Sequence, residues 1–242
     1  MTSSLLTAER AEALALHRPK LILPIGSGGA GKSFWSRWFI ERAAKRGAPL
    51  DICDADPLSP ALPPLAHDAD GSDYAPGRRL DHQDWLERKL AASAESRRSL
   101  IVDPGPMLFG LIEWFKGVPF ALAVEELGLD FVMVYLLAPD PDNLPRLPYL
   151  LGLIKVPRTV IVLNEWRMSA DDGATAFADI ITDLRVAAAR ADGAHIVTMP
   201  HLPPPNRLDA LRAHNPRHHN PARSEWLDRM EDNFAPVAAW FD

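Results

Sequence analysis

Apolar residues along this chain come in short unbroken runs rather than in strict alternation. LILPI (Leu21 to Ile25), LDICD (Leu50 to Asp54), SLIVD (Ser99 to Asp103), FVMVYLL (Phe131 to Leu137), TVIVLN (Thr159 to Asn164) and HIVTM (His195 to Met199) have strand length. Continuous apolar strands separated by helical stretches are what a parallel sheet covered on both faces requires. Helices are predicted over Ala8 to Leu16, from Lys32 to about Arg46, over Asp81 to Arg98, and over Ala174 to Ala191. The predicted fold is therefore α/β in three layers, a mostly parallel central sheet with helices on both faces.

Two segments depart from this rhythm. The stretch Leu144 to Arg158 contains Pro145, Pro148 and Pro157, which argues against a mobile helical lid there. Near the end, Trp226, Met230, Phe234, Val237 and Phe241 recur at helix-like intervals, with Pro236 placed to break the helix. Glu225, Asp228, Glu231 and Asp232 outnumber Arg229 on the polar face, so packing on the core or on a partner is favoured over membrane anchoring. The aromatics Phe34, Trp35, Trp38 and Phe39 read as the buried face of the helix that starts at Lys32.

Composition narrows the class without naming it. The 242 residues carry 26 Lys plus Arg against 32 Asp plus Glu, a net charge of −6, which speaks against a surface coated for nucleic acid. The locally basic stretch 207–223 is the one candidate nucleic-acid surface; with no aromatic residues interleaved for base stacking, a solvated tail is favoured. The single cysteine, Cys53, excludes an internal disulfide and a cysteine zinc site. Glu9, Arg10 and Glu12 interrupt any signal-peptide core, and the longest apolar run, Phe131 to Ala138, is far short of the roughly 18 residues of a spanning helix. A cytoplasmic protein is expected.

Candidate chemistry concentrates in GSGGAGKS, Gly26 to Ser33, which fits G-x-x-x-x-G-K-[ST] between a predicted strand and a predicted helix. Gly28, Gly29, Ala30 and Gly31 would curl the backbone so that its N–H groups surround phosphate oxygens, ending with Phe34 in the first helical turn. Lys32 would neutralise the β- and γ-phosphates, and Ser33 would ligate Mg²⁺. Asp103 ends an apolar strand in IVDPGP, where an acid would hold Mg²⁺ through water. Asp54 and Asp56, in DADP, stand beside them as candidates for the metal's surroundings and for orienting a water, although for that segment taken alone a plain Asp-rich turn before proline is the better reading.

Together GGAGKS, DADP, IVDPGP and the VIVLN strand ending at Asn164 resemble the ParA/MinD family of deviant-Walker P-loop ATPases, in order and approximate spacing over most of residues 20–202. The resemblance implies an ATP/ADP cycle with Mg²⁺ on Ser33, Asp103 and Asp54, and catalysis by Lys32 and Asp56. It also implies adenine contacts from Asn164 and from the residues near Pro200 and His201. An ATP-dependent homodimer and a protein activator or cargo adaptor would follow, in plasmid partition, conjugative transfer or intracellular positioning. The chain departs from the family at Ser27, where most members carry a lysine that reaches the partner's ATP, and at Leu58, where glutamine is frequent. The domain reading is a leading helix over 1–19, a P-loop ATPase domain over 20–202, and a Pro/Arg/His-rich tail with a terminal aromatic segment over 203–242, packed on the same domain. The competing functions are a small-molecule P-loop kinase and a non-hydrolysing nucleotide-binding scaffold.

Overall fold

The computed structural model describes residues 18–54, 79–104, 120–140, 142, 144–154, 156, 158–165, 168, 175–201 and 221–242, with side chains from 84 and 224 onward in the two helices that open at 79 and 221. The predicted leading helix, Asp56, Leu58, Pro106 and the basic stretch 207–220 lie outside the described residues.

In chain order the elements are β1 (Lys20–Gly26), α1 (Lys32–Lys45), β2 (Leu50–Asp54), α2 (Arg79–Ser96), β3 (Ser99–Asp103), α3 (Phe120–Glu126) and β4 (Asp130–Leu137). They continue with α4 (Arg146–Ile154), β5 (Arg158–Asn164), α5 (Ala178–Thr182), α6 (Leu184–Ala191), β6 (His195–Met199) and α7 (Pro221–Phe234), and close on a 3-10 turn, Ala235–Trp240. The six strands form one sheet in the order β2-β3-β1-β4-β5-β6, every neighbouring pair parallel. All six predicted strands are present, and the fold is the expected α/β one.

Two apolar clusters lie on opposite faces, sorted by the two-residue period of a strand. Leu21, Leu23 and Ile25 of β1 with Phe131, Met133 and Tyr135 of β4 face a layer built by α2 to α6, which contributes Leu86, Val124, Leu147, Ile180 and Val186. Ile22 of β1, Val132 and Val134 of β4 and Val160 and Val162 of β5 face the other layer, built by α1 and α7. That second layer is strongly aromatic: Phe34, Trp35, Trp38 and Phe39 of α1 meet Trp226 and Phe234 of α7 and the terminal Phe241. Pro236 acts as expected: the α-helix stops at Phe234 and tightens into the 3-10 turn.

Arg42, whose side chain is only 4% exposed, crosses this layer to Glu231 at 3.1 Å and Asp242 at 2.8 Å. Arg46 reaches the same two acids at 2.9 and 3.0 Å, so the end of the chain is tied to α1 by charge as well as by apolar burial.

One predicted element differs. The helix expected over Ala174 to Ala191 is broken at Asp183, whose backbone is extended (φ −64, ψ 136) and whose carboxylate accepts from the Arg185 N–H. An aspartate that caps a new helix competes with helix continuation, which is why the segment divides. The proline-rich stretch does form a helix, α4, because Pro145 precedes it and Pro148 falls in its first turn, where a backbone N–H has no intrahelical partner to lose. Leu147, Leu150 and Ile154 bury that helix in the core, so it is a packed element and not a lid. Among the described residues, no helix is long and apolar enough to cross a membrane.

Candidate functional site

The loop between β1 and α1 takes its shape from backbone constraints. Gly26 ends β1 against β4: a Cβ there would stand 2.6 Å from the Leu136 carbonyl oxygen, so only glycine fits the strand end. Ala30 then donates its N–H to the Ser27 carbonyl at 3.1 Å, closing a tight turn. Gly31 sits at the helix N-cap in the left-handed region, φ 96, and a Cβ there would collide with the Asn164 amide. The first turn of α1 contains no acidic residue, and its leading N–H groups point out of the helix N-terminus, the arrangement that favours anions.

Gly31→Ala combines a strained φ, which costs about 1–2 kcal/mol, with that collision. Its melting temperature is expected to fall by several degrees, whereas Gly28→Ala, where a Cβ meets nothing within 4 Å, should melt like the parent. Equal melting of the two variants by calorimetry would refute this reading of the loop.

Lys32 turns back over the loop, its Nζ donating to the Gly26 and Ser27 carbonyls at 3.1 Å each. Burial lowers its pKa from the ordinary lysine value, with the Asp103 carboxylate acting in the opposite direction. Ser33 Oγ donates to Asp103 Oδ2 at 3.0 Å, and Asp103 is itself only 3% exposed. Asp54 is the register partner of Asp103 across the β2–β3 pair and is half-buried. Two carboxylates and a hydroxyl thus meet at the carboxyl ends of adjacent strands, beside the loop, which is where ligands collect on an open parallel sheet.

These oxygens fit Mg²⁺ better than a self-sufficient metal cage. Among the described residues no group of three or more His, Cys, Asp or Glu side chains could hold a metal ion. A magnesium ion that keeps most of its waters and shares a phosphate needs only one or two protein oxygens, such as Ser33 and Asp103.

Of the expected site residues, Asn164, Phe34 and Pro200 take defined positions, and of these only the burial of Phe34 was foretold by the sequence. Asn164 is fully buried, and its amide donates to the Ala30 carbonyl at 2.6 Å. Through this bond Asn164 braces the glycine loop from behind, using one of its two amide hydrogens. Phe34 is buried too, with its ring tilted against Trp226 at 5.1 Å, so the ring belongs to the core and any ligand contact falls to the backbone. Pro200 follows β6 directly, and its carbonyl accepts the indole N–H of Trp226 at 2.8 Å. Sequence reasoning placed Trp226 in an apolar stripe without connecting it to this end of the sheet. Met199 was missed as well: its Cε lies 3.3 Å from where a Gly31 Cβ would be. Its position as the last residue of a strand was the available signal.

No protein-family model matches the chain. No curated protein matches it either. Solved structures similar to it include a GTPase from Pyrococcus abyssi in its apo form, 16% identical over 93% of this chain and 97% of that one, at a TM-score of 0.45. Chloroplast FtsY from Physcomitrella patens is 13% identical over 80% of this chain and 65% of that one, at 0.45. FlhF complexed with GMPPNP and Mg²⁺ is 14% identical over 82% and 77%, at 0.36. The six-stranded parallel sheet, with its glycine loop between β1 and α1, defines an α/β protein. With identities this low, function has to be read from the site's own geometry.

Proposed function

We propose that the chain binds a nucleoside triphosphate with Mg²⁺ and works as a nucleotide-dependent switch that hydrolyses it slowly. The observation that carries this reading is the contact between Ser33 and Asp103 beside Lys32 and the N-terminus of α1. One strand end there offers a cation, a helix terminus and a pair of hard oxygen donors at once.

In this reading the backbone of Gly28 to Phe34 holds the phosphates, and Lys32 exchanges its loop carbonyls for phosphate oxygens. Ser33 and Asp103 hold Mg²⁺, with Asp54 orienting the metal's waters, and the ion supplies charge stabilisation at the phosphates. Asp56 positions the attacking water, as the ParA/MinD resemblance suggests. The same resemblance favours ATP as the nucleotide, with adenine near Pro200, and a protein activator or cargo adaptor as the partner in partition, conjugative transfer or positioning. Ser27 in place of the partner-reaching lysine favours a homodimer that is weak or differently activated.

The test is calorimetric titration with ATP and GTP, with Mg²⁺ and with EDTA, alongside turnover and mass by light scattering on the same sample. Binding that is tighter with Mg²⁺ than with EDTA is expected, with ATP preferred. Ser33→Ala should weaken the Mg²⁺-bound complex while changing metal-free binding little. Asp56→Ala should bind normally and lose turnover, and undiminished turnover would remove Asp56 from its role. Absence of binding to either nucleotide would refute the proposal.

A further inference from the structure

The two ends of the sheet's carboxyl edge are unlike. On the β2–β3 side stand the carboxylates of Asp54 and Asp103. A triphosphate on the loop would turn its metal-bound end toward them, so its nucleoside must leave the other way, across the N-terminus of α1 toward the ends of β5 and β6. There Asn164 and Met199 are register partners, and both approach the loop at Ala30 and Gly31. The next residue, Pro200, is the first beyond the end of β6. His201 closes the same corner, with Nδ1 3.3 Å from the Glu165 carbonyl.

What holds this corner is α7. The Trp226 indole, only 5% exposed, donates to the Pro200 carbonyl at 2.8 Å and leans its ring on Phe34, the residue after Ser33. One turn pair further along, Asn233 donates to the Thr198 carbonyl at 2.8 Å. A single side chain thus bridges the residue after β6 to the first turn of the phosphate-loop helix.

We infer that Trp226 is a positioning residue for the nucleoside end of the site, setting the distance between Pro200 and the phosphate loop. The inference rests on the nucleotide-binding reading above. It predicts a split that a purely structural role would not produce. A nucleoside triphosphate spans both the loop and the corner at Pro200, whereas inorganic tripolyphosphate touches the loop alone.

Trp226→Phe keeps an aromatic ring against Phe34 and removes the N–H donor. By calorimetry in Mg²⁺ it is expected to weaken ATP about 3- to 10-fold, the range of one net hydrogen bond, and to leave tripolyphosphate within about twofold. Asn233→Ser, which releases the Thr198 carbonyl and leaves the indole in place, should shift the same ratio in the same direction. Arg46→Ala removes one of the ion pairs to Glu231 of α7 and one to Asp242 at the end of the chain; it should lower the melting temperature and leave the ratio of the two affinities at the parent value. Equal loss of both ligands in Trp226→Phe, or no loss of either, would overturn the role of Trp226 alone. A parent protein that binds neither ligand would overturn the nucleotide reading and this inference with it.

Discussion

Replacing Lys32 with alanine is expected to abolish measurable nucleotide binding while leaving the fold intact. The ammonium group is held by two loop carbonyls, Gly26 and Ser27, and by the field of Asp103. Burial strips part of its hydration, which lowers its pKa, and anionic phosphate oxygens would stabilise the buried charge better than neutral carbonyls do. Truncating one partner of a desolvated charge pair costs about 2–5 kcal/mol, or roughly 30- to 5,000-fold in affinity. The carbonyls it would abandon lie on the loop, so water can replace the lysine and the melting temperature should move little. Calorimetric titration of the variant beside the parent checks both halves. Unchanged affinity would remove the loop from the site, and a collapsed melting curve would mean that Lys32 is chiefly a structural clamp.

The largest effect on stability is expected at Trp35. It is fully buried at the centre of the aromatic layer, parallel to Phe39 at 5.4 Å and flanked by Phe241 at 6.0 Å and Phe234 at 6.3 Å. Deleting the ring in Trp35→Ala leaves a cavity between α1 and the end of the chain, and changes of this kind cost about 3–5 kcal/mol. That is a large share of a typical folding free energy of about 5–15 kcal/mol. Trp35→Phe should cost far less, about 1–2 kcal/mol. The reason is specific: the buried indole N–H has no hydrogen-bond partner among the described residues, so phenylalanine forfeits packing volume and no polar contact. Urea unfolding followed by far-UV circular dichroism gives both numbers. Equal losses for the two variants would show that the N–H has a partner after all.

The clamp that Trp35 anchors also reaches the candidate site, because α1 carries the phosphate loop at one end and the Arg42 and Arg46 ion pairs at the other. Trp35→Ala should therefore loosen ligand binding as well as the fold, whereas Lys32→Ala should affect binding alone. Comparing the two separates the chemistry of the loop from the scaffold that supports it.

Local sequence was enough to determine the elements of this protein that local physics controls. Unbroken apolar runs specify strands buried on both faces, and the glycines of Gly26 to Ser33 specify a curled loop at a helix N-terminus. Pro236 likewise stops the α-helix that runs ahead of it, at Phe234. The break at Asp183 went unread, since an aspartate divides a helical stretch only where it caps a following helix.

The rest depended on contacts between distant parts of the chain. The strand order, which puts Asp54 and Asp103 side by side, follows from how six similar apolar runs pack, and no single run encodes it. Ser33 meets Asp103 from 70 residues away, and Asn164 meets Ala30 from 134. That second meeting makes Asn164 a brace behind the loop, a role the sequence did not announce. Trp226 reads in sequence as one more apolar position; only the folded chain sets its N–H on the Pro200 carbonyl and its ring on Phe34. An amphipathic period says that a face will be buried. What it is buried against is decided by the shape of the whole sheet, because dispersion and hydrophobic burial carry no address of their own.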